Sequence, residues 1–386
     1  MDENEGTQTR QEEQAEKPEK KEKLSRKPLT PGARIGITVG CVFLVILLAV
    51  VLLIPFLFIT EYRPKESETV EVKGEPALHA QTGKPMTLMT WNLGYGALGD
   101  NADFFMDGGK MVMSASKERV QENLEDIFSH IRENDPDLLF VQEIDIKSTR
   151  SHHINELKQL REELEGYASS FAYNFKVAFI PYPVPPIGRV ESGIATFSRF
   201  AVESAERVQL PIPFSGPIRL ANLKRCLLVN RIRLDGTDKE LVLFNLHLEA
   251  YDDGEGKIAQ TEELVKLLQE EADKGNYVIA GGDFNQIFSS LDKGLYPIQE
   301  GQWAPGTIDT EAFDERWQFL MDPDTPSCRS LIEPYVGADR DTFQYYLIDG
   351  FILSSNIHPE ELRTLDLGFK ATDHNPVLLR FTLLEE

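Results

Sequence analysis

The spacing of apolar and polar positions divides the chain into four stretches of different character. Residues 1–34 are rich in Glu, Lys and Gln and carry no periodic apolar positions, a composition expected to stay disordered. Then IGITVGCVFLVILLAVVLLIPFLFI runs from Ile35 to Ile59 without a charge. At ~1.5 Å per residue this makes a helix of about 37 Å, enough to cross a ~30 Å hydrocarbon core with tilt. A cleaved signal peptide has an apolar core of about 7–15 residues. This run is longer and follows a long polar tail, so it reads as a retained transmembrane anchor. Lys20, Lys21, Lys23, Arg26, Lys27 and Arg34 precede it, which predicts a single-pass protein with its N-terminus in the cytoplasm and the bulk of the chain extracytoplasmic. Residues 60–85, punctuated by Pro64, Gly74, Pro76, Gly83 and Pro85, read as a stalk or linker.

From Met86 onward strands and helices mix, with no repeat of fixed period. MTLMTWNL, DLLFVQE, SGIATFSR, ELVLFNLHLEA, NYVIAGGDFN, YYLIDGFILS and DHNPVLLRFTL are short apolar runs that predict strands. Val120, Leu124, Ile127 and Ile131 recur at helical spacing within 116–134, and Leu264, Leu267 and Leu268 share one side of a second helix. Strands dominate without βαβ regularity. The expectation is one domain over 86–386, α+β or layered α/β, in which packed sheets are covered by helices.

Charge narrows the choice of function. The chain holds 63 acids against 40 bases, a net charge of −23, and the first 60 residues are balanced. The excess acid therefore belongs to the domain, and it disfavours long nucleic acid, whose binding rests on Lys and Arg contacts with phosphates. The three cysteines follow no metal spacing; Cys226 and Cys328 read as free, mostly buried thiols, with a single disulfide between them as the alternative.

Polar residues cluster where the strands end: Asn92 in TWNLGYG, Glu143 in FVQEID, His247 in FNLHLEA, Asp283 and Asn285 in GGDFN, Asp349 in LIDGFIL, and Asp373 with His374 in ATDHNPV. Singly, each has an ordinary structural reading as a turn former, a solvated strand end or a hydrogen-bonded core histidine. Together they form a set of hard oxygen donors plus acid/base groups. That set suits Mg²⁺ or Mn²⁺ and a phosphate rather than structural zinc. No G-x-S-x-G elbow, Walker loop or H-E-x-x-H occurs.

The order N…QE…H…GDFN…D…DH across 86–386 resembles the endonuclease/exonuclease/phosphatase superfamily, which includes deoxyribonuclease I, exonuclease III, inositol polyphosphate 5-phosphatases and neutral sphingomyelinases. The resemblance implies a four-layer αββα sandwich of two packed mixed sheets flanked by helices, and metal-dependent hydrolysis of phosphoesters at one end of the sheets. It makes Glu143 the main metal ligand, with Asn92 beside it and Asp373 completing the outer shell. His374 would take the proton from the attacking water, oriented by Asp349. Asp283 and Asn285 would position the nucleophile and a phosphoryl oxygen. His247 would stabilise developing charge or protonate the leaving group.

The chain also departs from the pattern. Gly94 stands where abasic endonucleases carry a carboxylate, and YYLIDGFIL stands where the 5-phosphatases carry Trp-Cys-Asp-Arg. For the superfamily's phosphate-contacting tyrosine the candidates are Tyr173 and Tyr182. Arg150, just after Glu143, is a candidate for binding a substrate phosphate bidentately. The glycine-rich stretch 94–110 is long for a connection and reads as a loop that closes over substrate, with a plain surface loop as the alternative. These readings point to a membrane-anchored, Mg²⁺-dependent phosphoesterase acting on a small-molecule or lipid-linked substrate. The alternatives are a surface endo- or exonuclease and a non-catalytic binding module on the same fold. No protein partner is legible.

Overall fold

The computed structural model describes residues 30–252 and 254–385. Most of the tail expected to be disordered therefore lies outside the described residues. The chain divides into two compact units at Leu53/Ile54. Across the first and into the second runs helix α1 (Pro31–Thr60), with Pro31 at its first turn, where a missing N–H costs nothing. Its most apolar 18-residue window has a mean hydropathy of 3.4, and by length and composition the helix is sufficient to cross a membrane.

The second unit contains two large sheets. One has the order β1-β7-β8-β9-β10-β16-β13, with β2 pairing β8: β1 Ser67–Val70, β2 Ala80–Gln81, β7 Ser204–Gln209, β8 Cys226–Asp235, β9 Glu240–His247, β10 Tyr277–Asp283, β13 Trp317–Leu320 and β16 Asp349–Ser354. The other has the order β17-β18-β3-β4-β6-β5: β3 Pro85–Asn92, β4 Leu138–Asp145, β5 Ala168–Ile180, β6 Gly188–Ser198, β17 Ile357–Thr364 and β18 Val377–Leu383. Two ribbons complete the strands, β11 (Gln286–Phe288) with β12 (Gly306–Ile308) and β14 (Cys328–Arg329) with β15 (Tyr345–Tyr346). Residues 60–85, expected as a stalk, are in part sheet, because β1 pairs with β7 and β2 with β8. Their prolines and glycines bend a segment that the sheet edge still holds.

The strands read as unbroken apolar runs because both faces of each sheet are covered. Alternate residues of β3, β4, β9 and β10 point between the sheets, where Leu88, Phe140, Leu243 and Ile279 share a core with Phe351 and Phe381. On the far face of the six-stranded sheet, Met89, Trp91, Leu139 and Val141 pack against α2 (Lys117–Asn134) and α3 (Glu156–Glu163). Val242, Phe244, Val278 and Ala280 meet α4 (Glu255–Ala272) on the other side. Helix α2 begins where expected, with Ser116 Oγ accepting from the Arg119 amide at its N-cap. The result is helix, sheet, sheet, helix.

Period-two alternation then decides where the chemistry sits. Asn92, His247, Asp283 and Asp349 lie on β3, β9, β10 and β16 in the same pleat phase as Leu88, Leu243, Ile279 and Phe351. At one end of the sandwich the inter-sheet core thus passes from apolar to polar side chains. β3 runs parallel to β4 and β9 parallel to β10, while β16 and β18 run antiparallel to their neighbours, so ends and starts coincide there.

Candidate active site

Asp283 is the hub of this polar end. Its Oδ2 accepts from Asn92 Nδ2 at 3.0 Å and lies 3.3 Å from His247 Nε2 and 3.8 Å from His374 Nε2, while Oδ1 accepts from the Asn285 amide at 2.9 Å. Burial pushes its carboxyl up to about 7, and the charge of Asp349, its direct partner across the β10–β16 ladder, adds to the rise. Asp349 Oδ2 is 2.8 Å from His374 Nδ1. Burial alone would lower the His374 pKa, but the Asp349 carboxylate holds it well above the ordinary histidine value. His247 goes the other way: burial, then the positive charges of Arg225 and His374, keep it well below 6.5 and neutral. The Asn285 side chain donates to the Leu248 carbonyl at 2.9 Å, leaving its other N–H and its oxygen for substrate.

The backbone around these groups is strained where a side chain must be re-aimed. Tyr95, Glu143 and Asn285 have φ of 42°, 54° and 51°, a conformation that non-glycine residues enter only when their surroundings hold them there. Glu143 sits in a bulge, since the β4–β6 register shifts between Val141 and Ile144. The bulge turns Glu143 into the cavity. Gly282 is required for close approach: a Cβ there would lie 2.0 Å from the Leu246 carbonyl oxygen. Gly94 (φ +52°) leaves no room either, because a Cβ would meet Asp373 Oδ1 and Thr372 Oγ1, both at 2.9 Å. The site therefore uses Asp373 where a carboxylate at position 94 would crowd it.

The donor set fits a hard divalent cation. Glu143 and Asp373 both line the cavity, and among the described residues none donates a hydrogen bond to the Glu143 carboxylate. Burial raises the pKa of Glu143, Arg150 offsets part of the rise, and the negative charge of Asp373 adds to it. A cation between them would relieve that cost. Cys328 also comes near Asp373 and His374, with possible ligand atoms within 4.8 Å of one another. Burial pushes its thiol up to about 12, so it is protonated when no cation lies beside it, and its soft sulfur suits a hard oxygen-preferring ion poorly.

The remaining walls were only partly legible in sequence. Arg150 lines the cavity, but its Nε and Nη2 are held by Asp145 at 3.2 and 3.0 Å, and its guanidinium stacks 3.6 Å above the Tyr95 ring. What it offers a phosphate is the remaining edge of the fork. Arg225, buried and 3.4 Å from Glu249 Oε2, is a second lining guanidinium that sequence reading missed, since RC at the start of an apolar strand carries no distinctive pattern. Tyr173 and Tyr182 do not line the cavity. Tyr173 packs edge-on to Phe171, and Tyr182 is a solvent-facing loop residue; the lining tyrosines are Tyr95, Tyr251 and Tyr346. The glycine-rich stretch is held at several points. The buried Arg329 guanidinium donates to the carbonyls of Leu98, Gly99 and Ala102 at 3.2, 2.7 and 3.3 Å, and Tyr251 Oη donates to Asp107 Oδ1 at 2.8 Å across the cavity mouth. It is a fixed wall. With Trp303, Phe104 and Leu331 it bounds a cavity of about 150 Å³, comparable to one that takes up a benzene-sized group. Cys41, Cys226 and Cys328 are all free thiols.

Two packed mixed sheets, opening at one end onto carboxylates, amides and a His–Asp pair, define a sandwich-type hydrolase of phosphoesters. The model of the Endonuclease/Exonuclease/phosphatase family matches residues 89–333, and the chain belongs to that family, whose members are metal-dependent phosphoester hydrolases. Among solved structures, an endonuclease/exonuclease/phosphatase from Beutenbergia cavernae is 16% identical, with 78% of this chain and 72% of that chain covered and a TM-score of 0.50. The human Nocturnin catalytic domain with bound sulfate is 16% identical over 81% of this chain and 96% of its own, with a TM-score of 0.47. ANGEL2, a 2',3'-cyclic phosphatase, is 16% identical over 82% and 98%, with a TM-score of 0.48. No match was found among the curated proteins. Likeness at this level concerns the fold.

Proposed function

We propose that the protein is a membrane-anchored, Mg²⁺-dependent phosphoesterase that acts outside the cytoplasm on a small-molecule or lipid-linked phosphoester. The observation that carries this reading is the convergence on Asp283 of Asn92, His247 and the His374–Asp349 pair, beside a Glu143 carboxylate that lacks a hydrogen-bond donor. A divalent ion held by Glu143, with Asn92 and Asp373, would neutralise charge on the phosphoryl group. Asp283, with a pKa of about 7, is matched to take a proton from the attacking water near neutral pH. That departs from the sequence expectation, which gives this role to His374. Held as an imidazolium by Asp349, His374 instead offers its Nε2–H to a phosphoryl oxygen or to the departing alkoxide. His247, neutral, donates a hydrogen bond rather than a proton. Arg150 and Asn285 fix the phosphate's orientation.

A small or lipid-linked ester suits a narrow, aromatic-lined cavity on an acidic unit. The anchor reading rests on the length and apolarity of α1, and the orientation on the cations that precede it. The test is the purified full chain in detergent against a phosphoester panel, with Mg²⁺ and with chelator. Chelator-sensitive cleavage of small or lipid esters is expected. Preferential cleavage of DNA at physiological salt would replace this reading with a surface nuclease, and inactivity on every ester would leave a binding module.

A further inference from the structure

The junction between α1 and the catalytic fold is no linker. Helix α1 ends at Thr60, and Glu61 is then held by Lys224 Nζ at 3.2 Å, by Arg219 Nε at 3.8 Å and by Arg63 Nε at 2.8 Å. Tyr62 packs edge-on to Tyr173 at 5.9 Å, with Lys176 Nζ 5.6 Å and the Arg207 guanidinium 5.7 Å from its ring centre. The residues that grip the junction are next in sequence to residues that line the cavity. Leu223 and Arg225 flank Lys224, and Asn174 and Phe175 lie between Tyr173 and Lys176. Junction and cavity thus draw on the same two short segments. Only Thr60 lies between Ile59, the end of the apolar run, and Glu61, a reach of about 7 Å even when fully extended.

The loops adjoining these two segments, taken together as the rim, expose apolar side chains that a water-facing edge does not need. Ile218, next to Arg219, is 64% exposed and Val184 is 91% exposed. Tyr182 is 72% exposed, its ring 6.3 Å from that of Phe105, and the neighbouring Met106 both lines the cavity and is 49% exposed. Beside them Arg63 and Arg219 present cations, their side chains 57% and 51% exposed, on a chain whose net charge is −23. Apolar tips with flanking cations are the chemistry of an interface between anionic head groups and acyl chains.

We propose that this rim rests on the bilayer that holds α1, and that the substrate is a phosphoester of a lipid in that bilayer, its head group entering the cavity from the membrane side. The proposal builds on the anchored-phosphoesterase reading above and adds a docking face and a substrate class. A tether this short brings the rim to the lipid surface without a search, and the fixed wall over the cavity leaves the head group a defined entrance.

The test uses the full chain in vesicles of phosphatidylglycerol and phosphatidylethanolamine. In a Cys41→Ser background, single Val184→Cys, Ile218→Cys and Asp238→Cys variants carry an environment-sensitive fluorophore, and the vesicles contain a nitroxide lipid. Asp238 lies in the β8–β9 turn, at the end of the sheet away from His247. Strong quenching at 184 and 218 with little at 238 is expected; equal quenching at all three, or none at 184 and 218, overturns the docking face. The second arm compares the double variant Val184→Asp/Ile218→Asp with wild type on vesicle phospholipid and on soluble bis(4-nitrophenyl) phosphate, with Mg²⁺. The variant is expected to lose at least tenfold on the vesicles and less than twofold on the soluble ester. Equal losses on both, or a wild type that cleaves only the soluble ester, overturns the lipid substrate and leaves the phosphoesterase reading standing. A wild type that cleaves neither ester removes that reading along with the substrate class, while the quenching pattern still decides the docking face.

Discussion

Replacing Asp349 by Asn separates the roles of the two groups that titrate at the centre of the site. The carboxylate sits 2.8 Å from His374 Nδ1 and directly across the ladder from Asp283. A hydrogen bond to a charged group contributes about 1.5–3 kcal/mol, and one pKa unit corresponds to about 1.36 kcal/mol. Losing that partner should lower the His374 pKa by about 1–2 units. The neighbouring negative charge also raises Asp283. Two unit charges about 5.5 Å apart at an effective dielectric near 20 interact by about 3 kcal/mol, so the Asp283 pKa should fall by about 2 units from its value of about 7. If Asp283 must be ionised and His374 protonated, the pH–rate profile at saturating Mg²⁺ is a bell, rising through the Asp283 pKa and falling through that of His374. In Asp349→Asn the whole bell should move to lower pH. The maximum rate should drop about 10²-fold, within the range for acid–base groups, because the imidazole loses its orienting partner.

Stability gives an independent reading of the same groups. Both bind protons more tightly in the fold than in the unfolded chain, so the wild type should lose stability as pH rises from about 4 through 7 and on through the His374 pKa. The variant should show a flatter dependence, measured by thermal unfolding across that range. The assay is stopped-flow or steady-state hydrolysis of a nitrophenyl phosphodiester between pH 5 and 10. A variant whose acidic limb moves down while its alkaline limb stays fixed would refute the assignment and return the role of base to His374.

Glu143→Gln should abolish Mg²⁺-dependent hydrolysis and weaken metal binding by calorimetry while leaving the unfolding temperature within a few degrees, since among the described residues nothing hydrogen-bonds the carboxylate; full activity at saturating Mg²⁺ would remove it as a ligand. His247→Ala should slow nitrophenyl and alkyl phosphodiesters by similar factors, about 10²-fold, because a neutral imidazole gives a hydrogen bond and not a proton; a loss confined to the alkyl ester would make it the acid. Arg329→Met leaves the Leu98, Gly99 and Ala102 carbonyls without their shared donor. At about 1–3 kcal/mol for each buried group left unpaired, it should lower stability by several kcal/mol and open residues 98–111 to limited proteolysis; unchanged proteolysis would show that the wall has other support.

Much of this protein was settled by local chemistry and is therefore legible in sequence. Helix α1 follows from an uncharged apolar run, α2 from the Val120–Ile131 stripe behind Ser116, and the strands from β-rich runs between turn residues. The residue types Asn92, Glu143, His247, Asp283, Asp349 and His374 at strand ends already imply phosphoester chemistry, because strand order and pleat phase carry them to one end of the sandwich. What sequence could not supply depends on contacts between distant segments. The 60–85 segment has the composition of a linker, yet unpaired edges of β7 and β8 recruit part of it into the sheet. The 94–110 stretch has the composition of a lid, but a guanidinium more than 200 residues away pins its carbonyls. Asp283 and His374 acquire their proton affinities only when burial and the facing Asp349 come together, and Arg225, Tyr95, Tyr251 and Trp303 become part of the site only because the fold closes around it. Periodicity and local composition act within a few residues, whereas desolvation and charge coupling act across the assembled core, and it is the core that assigns each residue its task.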